Sequence, residues 1–328
     1  MPICRGLAAG RAIIQPDHEE ARVNGKPQDY MAVGIVHFMA FPQTMGGSGP
    51  LVETIQTIAD DPFFGAIEVG QMADAGTRRE VRELLKRKGF QIGFGCQPIE
   101  LANKLDLNAL DDPTRAAAVS RVKDGIDQAA ELGSTRVAIL SGPDPGQEKR
   151  RAAFEALVDS IDQLCAHAHG KGIDSFAIET FDRTIDKKSL IGPNSEGVEL
   201  SKRVRAKHPG FGLMLDLSHF PLQFEKTMDA LRVAKDHIIH AHMGNCVLKQ
   251  GHKLYGDLHP HFGCEGGEND VAELTEFLRG LIEIGYIKAG SKNIVAFEVR
   301  PHGIHADDTS EGILAHSKAT LSKAWAAV

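Results

Sequence analysis

Apolar residues gather along this chain in eight short runs: AVGIVHF (32–38), GAIEVG (65–70), FQIGFGC (90–96), TRVAIL (135–140), DSFAIE (174–179), FGLMLD (211–216), HIIHAH (237–242) and NIVAFE (293–298). Each is rich in Ile, Val or Phe and lacks strict apolar–polar alternation, the pattern of strands buried on both faces. Longer stretches with helical spacing lie between them. LVETIQTIAD spans 51–60, and TRREVRELLKRK spans 77–88 and ends at Gly89, a natural helix stop. The stretch 113–132 opens on Asp112-Pro113, a cap followed by a first-turn proline. Further helical patterns run over 147–169, closing at Gly170, and over 195–207, ahead of Pro209. The last three cover 225–236, 270–284 and 310–326.

Eight strands alternating with eight helices predict an α/β protein, a (β/α)8 TIM barrel in a single domain over residues 31–328. Residues 1–30 read as an irregular N-terminal leader segment. An open doubly wound sheet is the competing arrangement. No G-x-G-x-x-G follows the first run, which argues against a dinucleotide-binding domain.

Composition narrows the function classes. The net charge of −7 argues against a general nucleic-acid binder. The five cysteines are odd in number and widely spaced, without a CxxC, so neither a disulfide framework nor a zinc knuckle is expected. No apolar run approaches the roughly 18 residues that span a bilayer, and the N-terminus lacks a long apolar signal region. The expectation is a soluble, reduced, cytoplasmic protein that engages neither membrane nor nucleic acid.

In a barrel the chemistry sits at the C-terminal strand ends. The fifth run ends in Glu179, the sixth in Asp216, the seventh in His242 and the eighth in Glu298. Adjacent barrel strands would bring these four tips together. Clustered carboxylates repel unless a cation lies among them. Three carboxylates and an imidazole suit one divalent metal ion, Mn²⁺ foremost, with Mg²⁺, Co²⁺ or Zn²⁺ also compatible. Taken singly, Asp216 serves equally well as a turn cap and His242 as a satisfied core histidine. His219 lies outside this set and can reach substrate or a second metal. His37, at the end of the first run, faces the same mouth if the phase is right. Glu68 in the second run serves as well in a structural ion pair.

The motifs AIET, DLSH, HAHMGN and AFEV resemble the strand-end motifs of xylose isomerase-like TIM barrels, and within them the sugar phosphate isomerases/epimerases and ketose 3-epimerases. The resemblance covers roughly residues 30–325. It implies that Glu179, Asp216, His242 and Glu298 bind one divalent metal and that Glu179 and Glu298 are the catalytic acid/base pair. It implies that His219 contacts substrate oxygens and that Asn245 loosely matches a substrate-contacting position. A metal on a ketone oxygen and its neighbouring hydroxyl stabilises an enediolate while a carboxylate removes the α-proton. The resemblance also implies a small-molecule sugar substrate, and a homo-oligomer or pairing with a second subunit.

The stretch after the seventh run, NCVLKQGHKLYGDLHPHFGCEGGEND, departs from the simple epimerase pattern, and a loop of that length over a barrel mouth reads as functional. Its Asp257 and His259 form a D-x-H like that of the AP-endonucleases of the same fold, whose three-metal cluster also uses histidines from strands two and three. No histidine stands at either place here, where Glu68 and Cys96-Gln97 occur. Asp257 and His259 are therefore read as a loop-folding pair or as substrate contacts, and Arg300, in the VRP after Glu298, as a further substrate contact. A lyase of the same fold is the alternative: a C-glycoside deglycosidase metal subunit acting on 3-oxo-glycosides, or an inosose-type dehydratase. A DNA-repair nuclease or a non-catalytic binding barrel is disfavoured.

Overall fold

The strands form because short β-branched and aromatic runs are bounded by turn residues, and their order in space follows their order in sequence. The computed structural model describes residues 23–328. In chain order the elements are β1 Ala32–Ile35, α1 His37–Ala40, α2 Leu51–Ala59, β2 Ala66–Val69, α3 Ala75–Lys88, β3 Gln91–Gly95, α4 Gln97–Ala102, α5 Asp112–Leu132 and β4 Arg136–Ile139. They continue with α6 Arg150–Gly170, β5 Ser175–Glu179, α7 Asn194–Arg205, β6 Phe211–Asp216, α8 His219–Leu222, α9 Thr227–Ala234, β7 Ile238–Gly244, α10 Val271–Glu283, β8 Ile294–Glu298 and α11 Ser310–Ala326. Short 3₁₀ turns lie at Pro27–Asp29 and Pro42–Thr44.

All strand pairs are parallel, each strand lies beside its sequence neighbour, and β1 lies beside β8. A bridge from Val36 to Glu68 joins the two remaining edges, so the sheet closes into a single-domain TIM barrel. The helices hold because their ends are satisfied. Asp74 accepts from the Thr77 amide at 2.6 Å and Asp111 from the Thr114 amide at 3.0 Å. The apolar faces of α3, α5 and α6 pack on the strands through residues such as Leu85, Ile126 and Leu157. Each fully buried side chain of this kind contributes roughly 1.5–3 kcal/mol.

Within the barrel every second residue points inward. Register pairs Glu68 with Gly93, and a Cβ on Gly93 would come within 2.8 Å of the Glu68 side chain. The glycine therefore lets that carboxylate cross the barrel. β7 carries one irregularity. Leu213 pairs with Ile238 but Met214 pairs with His240, leaving Ile239 as an extra residue. Such a bulge resets the inward phase of a strand. Ile239 packs against Ala138, Ala177 and Met214, and His240 and His242 both turn into the barrel.

Three short helices, α1, α4 and α8, follow directly on strand ends that the sequence pattern leaves as loop or strand. The first matters for a candidate residue. The run 32–38 does not stay extended to its end: the strand stops at Ile35 and His37 begins α1. Of the expected leader, residues 1–22 lie outside the described residues.

Candidate metal centre

Strand ends β5 to β8 place Glu179, Asp216, His242 and Glu298 side by side, each offering one atom within 4.8 Å of the others. The His242 Nδ1 lies 2.7 Å from Glu298 Oε2, 3.7 Å from Glu179 Oε1 and 3.7 Å from Asp216 Oδ2. These same four atoms are buried without a hydrogen-bond partner. Even the 2.7 Å approach lacks the alignment of a hydrogen bond. Buried polar atoms are rarely left bare, and four bare donors of lone pairs converging on one point is the arrangement a cation satisfies.

The opposite atoms of three of these groups are tied down. Gln97 Nε2 donates to Glu179 Oε2 at 2.9 Å, the Ser218 amide donates to Asp216 Oδ1 at 2.6 Å, and His242 Nε2 donates to Glu68 Oε1 at 2.9 Å. Ligands oriented from behind in this way hold a metal in fixed geometry. His240 Nε2 also reaches Glu68 Oε1, at 2.7 Å. Burial opposes a charge on Glu68, but His240 and His242 outweigh it and hold the carboxyl well below its usual range. Burial likewise depresses His242, yet Glu68 and Glu298 hold that imidazole well above its ordinary value. Asp216 is pushed up, chiefly by burial.

A second cluster adjoins the first through Asp216, which with His219 and His259 again offers atoms within 4.8 Å of one another. The His219 Nδ1 donates to the Thr180 carbonyl at 2.9 Å, so its Nε2 faces Asp257 Oδ1, 3.2 Å away. His259 Nε2 lies 2.9 Å from the same oxygen. The other oxygen of Asp257 holds Lys187 at 2.9 Å. Burial lowers both imidazoles, but Asp257, with Asp216 and other carboxylates nearby, pushes His219 up to about 10 and His259 up to about 9. A Cβ on Gly244 would meet Asp216 Oδ1 at 2.8 Å and His259 Nδ1 at 3.0 Å, so this cluster needs glycine there. His259 itself takes a left-handed φ of 52°, a conformation unfavourable for a residue with a Cβ.

The remaining candidates divide. Asp257 and His259 stand in the site, brought there by the 245–270 loop. His37 does not face the cluster as expected. Its Nε2 bonds Thr54 Oγ1 at 2.8 Å, its ring stacks on Phe41, and burial lowers it to about 3. The reason is the early start of α1, which turns the side chain toward α2. Asn245 is spent on the loop rather than free for a ligand: its Oδ1 accepts from the amides of Cys246 and Asn269, and its Nδ2 donates to the His261 carbonyl. Arg300 donates its backbone amide to the His259 carbonyl at 2.7 Å, and its half-buried side chain makes no ion pair among the described residues. Sequence reasoning missed Gln97, Lys187 and His240 as neighbours of the site. Only Gln97 and His240 carried any signal, through their places beside a strand end.

The four cysteines among the described residues are unpaired. No helix among the described residues is long and apolar enough to cross a membrane.

A D-psicose 3-epimerase from Ruminiclostridium cellulolyticum is 29% identical over 100 residues, 30% of this chain. The matched stretch spans about a third of that relative's length, 32%. A solved D-tagatose 3-epimerase-like protein superposes with a TM-score of 0.65 at 17% identity, covering 89% of this chain and 97% of the other. An AP endonuclease, family 2, from Brucella melitensis gives a TM-score of 0.63 at 18% identity, covering 88% and 99%. Two solved proteins named for different activities superpose almost equally well, so these likenesses carry the fold alone. A family model described as xylose isomerase-like TIM barrel matches residues 54–320, most of the chain and all four strands that bear the cluster, and the chain belongs to that family.

Proposed function

We propose that this chain is a divalent-metal-dependent sugar isomerase or epimerase that moves a proton next to the carbonyl of a keto-sugar. The observation that carries this reading is the convergence of four buried, unpartnered ligand atoms from Glu179, Asp216, His242 and Glu298. The similarity to a D-psicose 3-epimerase supports the choice of sugar chemistry. The donor set of three carboxylates and one imidazole fits a hard or borderline ion, Mn²⁺ foremost. When bound, such an ion supplies Lewis-acid polarisation of the substrate carbonyl.

The chain's own residues do the rest. Asp216 and His242 occupy the middle of the four-strand arc and hold the site together. Glu179 and Glu298 come from its two ends, so they can serve a substrate from two sides, one removing the α-proton and the other returning it. Glu298 suits solvent exchange, since its side chain is 13% exposed against 0–3% for the other three. His219 and His259, which adjoin Asp216, would contact substrate oxygens. General acid–base transfer of this kind contributes on the order of 10² to 10⁴ in rate.

A second ion is a further reading, favoured by one observation: the unpartnered His219 Nε2, Asp257 Oδ1 and His259 Nδ1 beside Asp216. A lyase that begins with the same proton abstraction shares every residue named above.

Metal analysis and solvent deuterium exchange test the proposal together. Chain purified without chelator and reconstituted with Mn²⁺ should hold one equivalent, or two if the second cluster fills. It should also wash deuterium into D-fructose, D-psicose or a 3-oxo-glucoside. Uptake below about a tenth of an equivalent, at the affinity expected of a site whose ligands are already arranged, would sink the metal site. Glu298→Gln should abolish exchange; retained exchange removes it from the role of acid or base.

A further inference from the structure

Gln97 has a bare acceptor where nothing in the protein explains one. It is the first residue of α4, directly beyond β3, and its backbone place is fixed by its neighbours: the Cys96 amide donates to the Ala138 carbonyl at 2.8 Å, and Glu100 Oε2 accepts from the Leu140 amide at 3.0 Å. Its Nε2 donates to Glu179 Oε2 at 2.9 Å. The orientation of the amide is therefore determined, because the reverse one would set a carbonyl oxygen against a carboxylate. The outcome leaves Gln97 Oε1 buried and without a partner, close to Glu179, whose Oε1 is also unpartnered.

The wall around that oxygen offers it no donor. A Cβ on Gly95 would lie 3.0 Å from Gln97 Oε1 and 3.3 Å from the Phe38 ring. A Cβ on Gly70 would meet the same ring at 3.3 Å. The ends of β2 and β3 thus present glycines packed on the Phe38 ring of α1, and Gln97 supplies a polar group there. A bare acceptor in an apolar wall is costly unless a ligand provides the hydrogen.

We propose that Gln97 is a positioning residue for Glu179 that also reads a substrate hydroxyl. Its Nε2 pins one oxygen of Glu179, so that the other is presented to the metal and the substrate, and its Oε1 accepts a hydrogen bond from a hydroxyl of a polyhydroxylated ligand. The inference rests on the metal-centre reading above and adds to it the recognition of a hydroxyl on the β2–β3 side of the mouth.

The test is a double-mutant cycle on the full chain, read by calorimetric titration with Mn²⁺ and then, on Mn²⁺-loaded protein, with xylitol, a polyol with no carbonyl to react. Gln97→Met should weaken Mn²⁺ binding about tenfold, the effect expected of losing an outer partner of a ligand. In a Glu179→Ala background the same substitution should change it by no more than about twofold, because the group it acts through is gone. Xylitol affinity should fall about tenfold in Gln97→Met. Gln97→Asn, which keeps the amide but withdraws it, should show the same losses and serves if the Met variant folds poorly. Equal losses in both backgrounds, or no loss of xylitol affinity, overturn the inference. A wild-type chain that takes up no Mn²⁺ defeats the metal-centre reading and this inference with it. Normal Mn²⁺ uptake that is indifferent to Gln97 defeats the inference alone.

Discussion

Glu68 accepts a hydrogen bond from His242 across the barrel, Oε1 to Nε2 at 2.9 Å, and so leaves Nδ1 as the ring atom that faces Glu179, Asp216 and Glu298. One residue on β2 thereby decides which nitrogen of a β7 histidine serves the site. The same oxygen holds His240 at 2.7 Å, so the carboxylate satisfies two buried rings. Glu68→Gln keeps one acceptor but loses the charge that favours the Nδ1 lone pair as ligand. It should weaken Mn²⁺ binding by about 10- to 100-fold with the fold intact. Glu68→Ala leaves two buried donors without a partner and should lower stability by about 2–5 kcal/mol in urea unfolding. Unchanged Mn²⁺ affinity in Glu68→Gln would show that the bond is structural only.

Metal and stability are linked through the bare atoms of the centre. Glu179, Asp216, His242 and Glu298 crowd three carboxyl groups into a buried space. An ion that binds the folded chain alone adds about 2.7 kcal/mol at a concentration 100 times its Kd. Mn²⁺ should therefore raise the thermal midpoint, and chelator should reverse the gain. Asp216→Asn, at the junction of both clusters, should abolish most of the response. A midpoint indifferent to Mn²⁺ at millimolar concentration would contradict a preformed site.

His37 predicts an acid-side dependence of stability unrelated to the metal. Burial lowers its folded pKa to about 3 from 6.5, so between those values the unfolded chain binds the extra proton. Stability from this residue is full above pH 6.5 and is lost as pH falls toward 3. The total is on the order of 5 kcal/mol. His37→Gln, which can still bond Thr54, should flatten that part of the profile. Urea midpoints of the two proteins at pH 4.5, 5.5 and 7.5 measure the difference; parallel profiles would refute it.

What the sequence made legible follows from period and position. Each of the eight runs holds a strand because burial on both faces favours apolar residues, and the C-terminal ends of those strands stand at the mouth because a parallel barrel admits no other place. The bulge at Ile239 was not legible, since HIIHAH carries no glycine or proline to mark it, yet it sets the phase of His240 and His242. His37 was misplaced because AVGIVHF reads as one apolar run, and only the tertiary path shows the chain turning into α1 after Val36. Asn245 looked available because a polar residue at a strand exit gives no sign of its partners. Asp257 and His259 were visible as a pair, but not that a loop would carry them to Asp216.

The loop's hold on the site should depend on Lys187. Its ammonium meets Asp257 Oδ2 at 2.9 Å and Asp186 Oδ2 at 3.0 Å, joining the segment after β5 to the loop after β7. Burial opposes its charge, but Asp257 and Asp186 outweigh that and raise its pKa. Asp257 in turn is held low against burial by His259, His219 and Lys187. Lys187→Met removes one cation from a carboxylate buried in the mouth. Breaking a fully buried pair costs about 3–5 kcal/mol, and the 20% exposure of the Lys187 side chain reduces this to about 2 kcal/mol. The loss should appear first as local opening, with faster amide exchange across 245–270 than across the barrel strands. If the second cluster takes an ion, saturating Mn²⁺ should restore much of the protection, because the ion supplies the missing positive charge beside Asp257. If it takes none, Mn²⁺ should protect the strand ends while leaving the loop open. Amide exchange of Lys187→Met with and without Mn²⁺ separates the two, and wild-type protection throughout would show that Lys187 does not hold the loop.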